Sequence, residues 1–268
     1  MADLRNRATL FCTLAGLSLF SPAAPAQAGP PAITASQGVV NGASFQTGIA
    51  SSSWVTIRGT NLSATTRIWT GADFQAGRLP VSLDGVSVKI NNRDALVYYI
   101  SPTQINVLAP ADVSSGTVQV VVTNATGASA PVNVQLTPIL PAFFRLKDDY
   151  ITATTPEGGF IAPTGIVDGL VTVPARPLET VVLWGTGFGP TTPAIDPGQA
   201  AFAASPLLNP PSIRIGQATA AVVYAGVTSA GLCQFNAVVP DLANGDYPVV
   251  AQIAGVRTSS IARLRIQR

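Results

Sequence analysis

The chain has 268 residues, of which 47% are hydrophobic and only 10% are charged, whereas about 25% of residues are charged in a typical soluble domain. It contains no histidine, which removes the most common general base, the Ser-His and Cys-His nucleophile pairs and the most common transition-metal ligand. The net charge of +2 is spread thinly, without a cluster of lysine or arginine, so we expect no nucleic-acid partner.

The first 28 residues carry the succession of regions that is typical of a secretory signal peptide. Arg5 and Arg7 precede an apolar run over residues 8–20, and the segment ends in the small-residue sequence Ala26-Gln27-Ala28. We expect cleavage after Ala28 and hence a secreted, periplasmic or cell-surface protein with no membrane span after cleavage. A permanent anchor is the weaker alternative, because a spanning helix needs about 20 apolar residues and this run is shorter.

The cysteines predict a fold without an intrachain disulfide. Cleavage of the signal peptide removes Cys12, which leaves Cys233 as a lone thiol between Leu232 and Phe235. A cysteine in such apolar surroundings is most often a small buried hydrophobic residue rather than a reactive group.

Two sequence motifs occur twice in the remaining chain. Residues 55–62 align with residues 181–188, and residues 104–110 align with residues 234–240. The two offsets, 126 and 130 residues, are nearly equal, so the spacing between the motifs is similar in each copy. A domain of about 100 residues that is present twice is the economical interpretation.

Within each copy, apolar residues alternate with polar ones or form short runs between turn-forming residues, which is the pattern of β-strands. Lysine and glutamate, which usually fill exposed helix faces, are scarce. Three strand faces are predicted, namely Val86, Val88 and Ile90; Val118, Val120 and Val122; and Val132, Val134 and Leu136. We therefore predict an all-β fold of two tandem immunoglobulin-like β-sandwiches joined by a packed extended segment.

The predicted organisation follows from this repeat. After the signal peptide at residues 1–28, the first sandwich covers residues 33–140 and the second covers residues 179–268. Residues 141–178 are too apolar at their start for a free linker, so we expect a crossing strand and a hairpin that pack on the second sandwich. The two sandwiches are then expected to form a stiff pair.

The turn Gly59-Thr60-Asn61-Leu62 and its counterpart Gly185-Thr186-Gly187-Phe188 resemble the IPT/TIG class of immunoglobulin-like domains. More specifically, several spaced segments are similar to the Solibacter-type uncharacterised C-terminal domain family, namely residues 39–45, 57–62, 104–110, 141–144 and 182–190. The resemblance covers about 230 residues, and no activity is established for that family. The wider class implies roles in surface receptors, in adhesins and as linkers in polysaccharide-acting enzymes, which is an analogy of fold alone.

The best candidate for a binding site is the long insertion from Ser63 to Pro80, which carries Trp69, Phe74 and Arg78. A sugar ring or a partner side chain could stack on an exposed aromatic residue there. The corresponding stretch of the second copy, residues 191–211, has a different composition. The alternative is that Trp69 and Phe74 simply pin the loop to the sandwich, and this alternative is favoured. The remaining aromatic residues in strands are expected in the core or at an interface, namely Trp54, Trp184, Tyr98, Tyr99, Tyr224 and Phe235.

The other repeated residues favour structural roles. Gly59 and Gly185 are expected where a side chain is excluded or where φ is positive. Asn106 and Asn236 are expected to form hydrogen bonds with neighbouring backbone. The glycine-rich turn at residues 185–190 lacks the Lys-Ser/Thr and the following helix of a phosphate-binding loop, so it does not predict a nucleotide site.

Aspartate residues are scattered through predicted turns and form no calcium-loop pattern, so no metal site and no cofactor are predicted. We predict a secreted, non-enzymatic module for adhesion or protein contact at the cell exterior, with a protein or polysaccharide partner. Strand addition at an exposed sheet edge is one possible mode of contact. The alternatives are a carbohydrate-binding module that uses the loop aromatics and, with less support, a hydrolase with a pair of carboxylates.

Overall fold

The computed structural model describes residues 29–112 and 114–268, so the predicted signal peptide lies outside the described residues and its cleavage stays a prediction. Within these ranges the chain is all-β, and its only helical elements are the 3-10 turns Gly71–Asp73 and Lys147–Asp149. None of the described helical turns is long and apolar enough to cross a membrane.

The first part of the chain contains the strands β1 (Ala32–Ile33), β2 (Val39–Asn41), β3 (Ile49–Ala50), β4 (Trp54–Thr60), β5 (Arg67–Ile68), β6 (Ser82–Leu83), β7 (Val86–Ile90), β8 (Arg93–Asp94), β9 (Leu96–Ile100), β10 (Gln104–Leu108), β11 (Gly116–Asn124), β12 (Gly127–Ala128) and β13 (Val132–Thr137). The second part contains β14 (Ala142–Phe143), β15 (Ala153–Thr154), β16 (Phe160–Ile161), β17 (Thr172–Val173), β18 (Thr180–Thr186), β19 (Ser205–Pro206), β20 (Ser212–Ile215), β21 (Ala218–Ser229), β22 (Leu232–Val238), β23 (Gly245–Ile253), β24 (Val256–Arg257) and β25 (Arg263–Ile266).

The strands up to β13 form the first sandwich. One of its sheets has the order β1-β4-β10-β9-β5, with β2 also paired to β4, and the facing sheet has the order β3-β13-β11-β7-β6. Val88, Val120 and Val134, one from each predicted strand face, lie in the core together with Ile57 and Ile105 of the opposite sheet. The alternating pattern of these strands therefore reflects one face that packs inward and one that meets solvent.

The strands from β14 onward form the second sandwich, in which one continuous sheet folds over itself. Its order is β17-β16-β15-β18-β22-β21-β20-β23-β24, with β25 paired to β23. The end of β21 pairs with β22, whereas its start pairs with β20, so β21 passes from one layer to the other. The core between the layers contains Leu183 and Phe235 from one layer and Ile213 and Val249 from the other.

The duplicated motifs occupy equivalent places. In the first sandwich Ile57 of β4 lies opposite Ile105 of β10, and in the second Leu183 of β18 lies opposite Phe235 of β22. These residue pairs are related by the same offsets that relate the motifs in the sequence. The prediction of two tandem immunoglobulin-like sandwiches is confirmed.

The segment at residues 141–178 supplies strands to the second sandwich. β14 pairs with the end of β18 and β15 with its middle, as β1 and β2 pair with β4 in the first sandwich. β15 and β16 form an antiparallel hairpin in which Ala153 lies opposite Ile161. Ala175 forms a parallel bridge to Ile266, just as β3 runs parallel to β13. Residues 32–50 and 141–178 therefore make corresponding contacts in the two sandwiches.

Close backbone approach explains the repeated glycines. A Cβ atom on Gly59 would lie 2.1 Å from the carbonyl oxygen of Ala32, and one on Gly185 would lie 2.7 Å from that of Ala142. Two residues further on, Asn61 has φ 54° and Gly187 has φ 77°, the left-handed region that glycine and asparagine tolerate best. The motif thus encodes a strand whose glycine lets the neighbouring edge strand approach closely, followed by a turn.

Candidate contact site at the junction of the sandwiches

A third cluster of buried side chains lies between the two sandwiches. The first sandwich contributes Trp54, Leu79, Leu96, Tyr98, Tyr99 and Leu108, and the second contributes Ala142, Phe144, Val182, Trp184 and Leu232. Most of the strand aromatics that the sequence places in a core or at an interface therefore lie at this junction, where aromatic rings bury a large apolar area. The two sandwiches therefore pack against each other through this cluster, and the stiffness of the pair stays a prediction.

Hydrogen bonds reinforce the junction around Trp54. Its backbone N–H donates to Thr186 Oγ1 at 3.0 Å, and its indole Nε1 donates to the carbonyl oxygen of Ala230 at 3.0 Å. The Thr186 hydroxyl in turn donates to the carbonyl oxygen of Gly231 at 2.8 Å. Trp54 and Thr186 are both buried, so these bonds satisfy polar groups that have left water.

Of the predicted contact residues, Trp69 and Phe74 lie against this junction. The ring centroid of Trp69 is 4.8 Å from that of Tyr98, 6.0 Å from that of Trp54 and 5.7 Å from that of Phe74. Both loop aromatics are half-buried and pack on the junction cluster. This arrangement pins the insertion to the sandwiches and leaves only part of the indole surface open for stacking.

Arg78 connects the insertion to the second sandwich. Its Nη1 lies 2.8 Å from Asp196 Oδ2, and both side chains are about half exposed. Backbone bonds on either side strengthen the link, because Leu79 N donates to Gly198 O at 2.9 Å and Ala200 N donates to Gly77 O at 2.8 Å. We call residues 75–79 the strap and residues 194–202 the flap. The two loops differ in composition, and nothing in the sequence predicts that they pair with each other.

A charged triad holds the start of the insertion. Arg67 donates to Asp73 at 2.9 and 3.0 Å and to Asp84 at 2.9 Å. The guanidinium lowers the pKa of Asp73 to about 2 and also lowers the pKa of Asp84. A glycosidase acid needs the opposite shift, since it must stay protonated near neutral pH. These carboxylates are therefore suited to anchoring the loop and unsuited to protonating a leaving group.

A groove of about 400 Å³ lies where the flap meets the junction. Its walls include Ile195, Phe202 and Phe188 of the second sandwich and Ser52 and Asp112 of the first. The groove is mainly apolar, and its size falls within the range of about 300–1,000 Å³ that is usual for small-molecule pockets.

Cys233 also lines the groove and is buried, as its apolar sequence context predicts. Desolvation raises the pKa of its thiol to about 12, so the thiolate is disfavoured near neutral pH.

The repeated asparagines accept hydrogen bonds from other side chains, whereas the sequence suggested bonds with neighbouring backbone. Asn106 Oδ1 accepts from Gln104 Nε2 at 3.0 Å and from Thr56 Oγ1 at 3.1 Å. Asn236 Oδ1 accepts from Gln234 Nε2 at 2.8 Å. The glutamine two residues earlier lies on the same strand face because side chains alternate with a period of two, and it is present in both copies of the motif.

No grouping of three or more Cys, Asp or Glu side chains in the described ranges has the arrangement needed to hold a metal ion.

These features define a chain of tandem immunoglobulin-like β-sandwiches that are packed and hydrogen-bonded to each other at their junction. Residues 39–137 match the IPT/TIG domain, so the first sandwich is a domain of this class. No sequence match is found among curated proteins.

Three solved structures are similar to this chain at low identity. The Bacteroides ovatus mixed-linkage glucan utilization locus protein SGBP-B is 11% identical, with 82% of this chain and 42% of that chain covered and a TM-score of 0.34. SGBP-B from a complex xyloglucan utilization locus in Bacteroides uniformis is 14% identical, with 88% and 48% covered and a TM-score of 0.23. The Escherichia coli adhesin FdeC is 10% identical, with 88% and 66% covered and a TM-score of 0.27. The chain spans less than half the length of the two Bacteroides structures.

Proposed function

We propose that this chain is an exported, non-enzymatic module whose two locked sandwiches present contact surfaces to a partner at the cell exterior. The observation that carries the proposal is the aromatic junction. It buries Trp54, Trp184 and Tyr98 between the sandwiches, which makes the pair a stiff scaffold. The outer loops and sheet edges are then the surfaces that can contact a partner.

The edge strand β17 is the contact surface that we favour. It pairs in parallel with β16 and ends the sheet of the second sandwich. Val171 and Val173 are 85% and 50% exposed, which is unusual for branched apolar side chains beside a sheet edge. We propose that an extended apolar segment of a partner protein adds to this edge, so that backbone bonds give affinity and the valine side chains give specificity.

A comparison of three proteins tests this surface. Wild-type protein, the double variant Val171→Glu with Val173→Glu, and the control Val223→Glu would each be used to capture proteins from the native envelope and secreted fractions. Val223 is 65% exposed and lies on β21, away from β17, so the control adds a charge to an equally open valine.

We expect one partner protein to be recovered with the wild type and with the control. The amount of that partner recovered with the double variant should be at least tenfold lower. Equal recovery by all three proteins would remove β17 as the contact surface.

Carbohydrate binding through Trp69, Phe74 and Arg78 is the alternative partner chemistry. The half-buried ring of Trp69 and the ion pair of Arg78 with Asp196 favour a holding role for these residues instead. Binding to a glycan array that is lost in Trp69→Ala, with the melting temperature unchanged, would favour the carbohydrate alternative.

The proposal includes three further points. They are membership of the Solibacter-type family, export with cleavage after Ala28, and the division into residues 33–140, 141–178 and 179–268. The corresponding strand contacts at residues 32–50 and 141–178 support a variant of the division in which the second unit begins near residue 141. N-terminal sequencing of the exported protein tests the cleavage site.

A further inference from the structure

The flap covers one side of the groove at the junction. Its residues Ile195, Pro197 and Phe202 line the groove, while most other residues at its tip are exposed. At its base, Thr192 N donates to Pro206 O at 2.9 Å and Leu208 N donates to Pro190 O at 2.8 Å, which anchors the flap to its own sandwich. The segment is therefore a loop that is anchored at its base and reaches across the groove.

The tip of the flap is held by the strap of the other sandwich. The contacts are the ion pair of Arg78 with Asp196 and the backbone bonds Leu79 N to Gly198 O and Ala200 N to Gly77 O. The ion pair is exposed at both partners, with side-chain exposures of 56% and 45%. Such pairs contribute little free energy and weaken with salt. The ion pair is therefore the salt-sensitive part of a link that also includes the two backbone bonds and the packing of Ala200 on the junction cluster.

We propose that the flap is a latched lid on the groove, with Arg78 and Asp196 as its latch. In the closed state the strap holds the flap against the junction, so that the flap covers one side of the groove. In the open state the tip leaves the strap, the base stays anchored, and the covered side of the groove becomes accessible. Native proteins undergo local openings of this kind at a lower free-energy cost than global unfolding.

The thiol of Cys233 is a built-in reporter of this opening. Its side chain lines the groove and is 3% exposed, and burial disfavours the reactive thiolate. When the flap opens, water reaches the thiol and its pKa falls towards the ordinary value. Alkylation of Cys233 then proceeds at a rate proportional to the open fraction when opening and closing are fast relative to alkylation.

The test measures the rate of Cys233 alkylation by iodoacetamide at pH 8 in native buffer, with peptide mass spectrometry to assign the label to Cys233. The variants are Arg78→Gln and Asp196→Asn, of which the second keeps the side-chain oxygen that accepts from Gly198 N. The control is Lys89→Gln, which removes a comparably exposed ion pair with Asp94 on β7 and β8, away from the flap.

We expect the latch variants to be alkylated about two- to fivefold faster than wild type, the range that corresponds to the loss of an exposed ion pair. The control should match wild type. Raising the salt concentration should speed alkylation of the wild type but not of Arg78→Gln. The swapped variant Arg78→Asp with Asp196→Arg should return the rate towards the wild-type value.

A steric variant supplies an independent check. A Cβ atom on Gly198 would lie 2.3 Å from Arg78 Nη2, so Gly198→Ala displaces the guanidinium without removing a charge and should also speed alkylation. Equal rates in wild type, latch variants and control would overturn the proposal. It would also be overturned if the Cys233 rate followed the global unfolding rate across a urea series, because the thiol would then be exposed only by unfolding.

Discussion

The backbone N–H of Trp54 in the first sandwich donates to the hydroxyl oxygen of Thr186 in the second, across 132 residues of sequence. Thr186 belongs to the duplicated turn motif, and its counterpart in the first copy, Thr60, is exposed. The same residue of the motif therefore joins the two sandwiches in one copy and meets solvent in the other.

This asymmetry provides a matched pair of variants. Thr186→Val keeps the shape of the side chain but removes an acceptor for Trp54 N and the donor to Gly231 O. We expect it to lower the free energy of unfolding by about 1–3 kcal/mol, the usual cost of an unsatisfied buried group. Thr60→Val should change it by less than about 0.5 kcal/mol. Urea denaturation measures both, and equal effects would show that the hydroxyl does not join the sandwiches.

The repeated glycines should not tolerate a Cβ atom. Gly59→Ala and Gly185→Ala each place a methyl group within 2.7 Å of a backbone carbonyl oxygen, and overpacking of this kind costs about 1–3 kcal/mol. Gly71→Ala is the control, because nothing lies within 4 Å of its added methyl group. Thermal melting should show a loss for the first two variants only. A loss of similar size for Gly71→Ala would point to a general effect of glycine replacement.

Trp69→Ala should loosen the insertion. The indole packs on Tyr98, Trp54 and Phe74 but is only half-buried, so we expect a loss of about 1–3 kcal/mol, below the range for a fully buried tryptophan. Limited proteolysis should also cut faster within residues 63–80. An unchanged melting temperature and unchanged proteolysis would contradict the pinning role of Trp69.

The triad of Arg67, Asp73 and Asp84 predicts loss of stability in acid. The pKa of Asp73 is lowered from 3.8 to about 2, so its contribution is fully present above about pH 4 and is lost as the pH falls towards 2. Asp73→Asn removes this contribution and should flatten the fall in urea midpoint between pH 5 and pH 2.5. Arg67→Gln should flatten it in the same way, because the ion pair needs both partners. If either variant kept the full wild-type fall, other groups would be responsible for it.

Much of the fold could be predicted from local sequence. The alternation of Val118, Val120 and Val122 identifies a strand face because side chains on a strand point alternately to its two sides, and these residues are buried as expected. The paired motifs identify the duplication because both copies need the same glycine where an edge strand crosses. The resemblance to the IPT/TIG class is confirmed over residues 39–137.

The contacts of the candidate site could be predicted from the sequence only in part. Trp69, Phe74 and Arg78 could be selected as unusual residues in a long insertion, but their neighbours could not. Asp196 pairs with Arg78 from a loop 118 residues further on, and no periodicity or spacing relates the two positions. The asparagine contacts show the same limit on a small scale, because the sequence indicates a polar residue in a strand but does not specify its partner.

The sequence by itself determined the β-strands, the duplication and the residues that each strand buries, because these depend on side-chain alternation and on turn chemistry within a few residues. The tertiary structure alone decided how the two copies pack, which brings Trp54 to Thr186, the strap to the flap and Cys233 to a groove. Those contacts depend on the relative placement of two surfaces, which is a sum of many weak interactions between residues far apart in the chain.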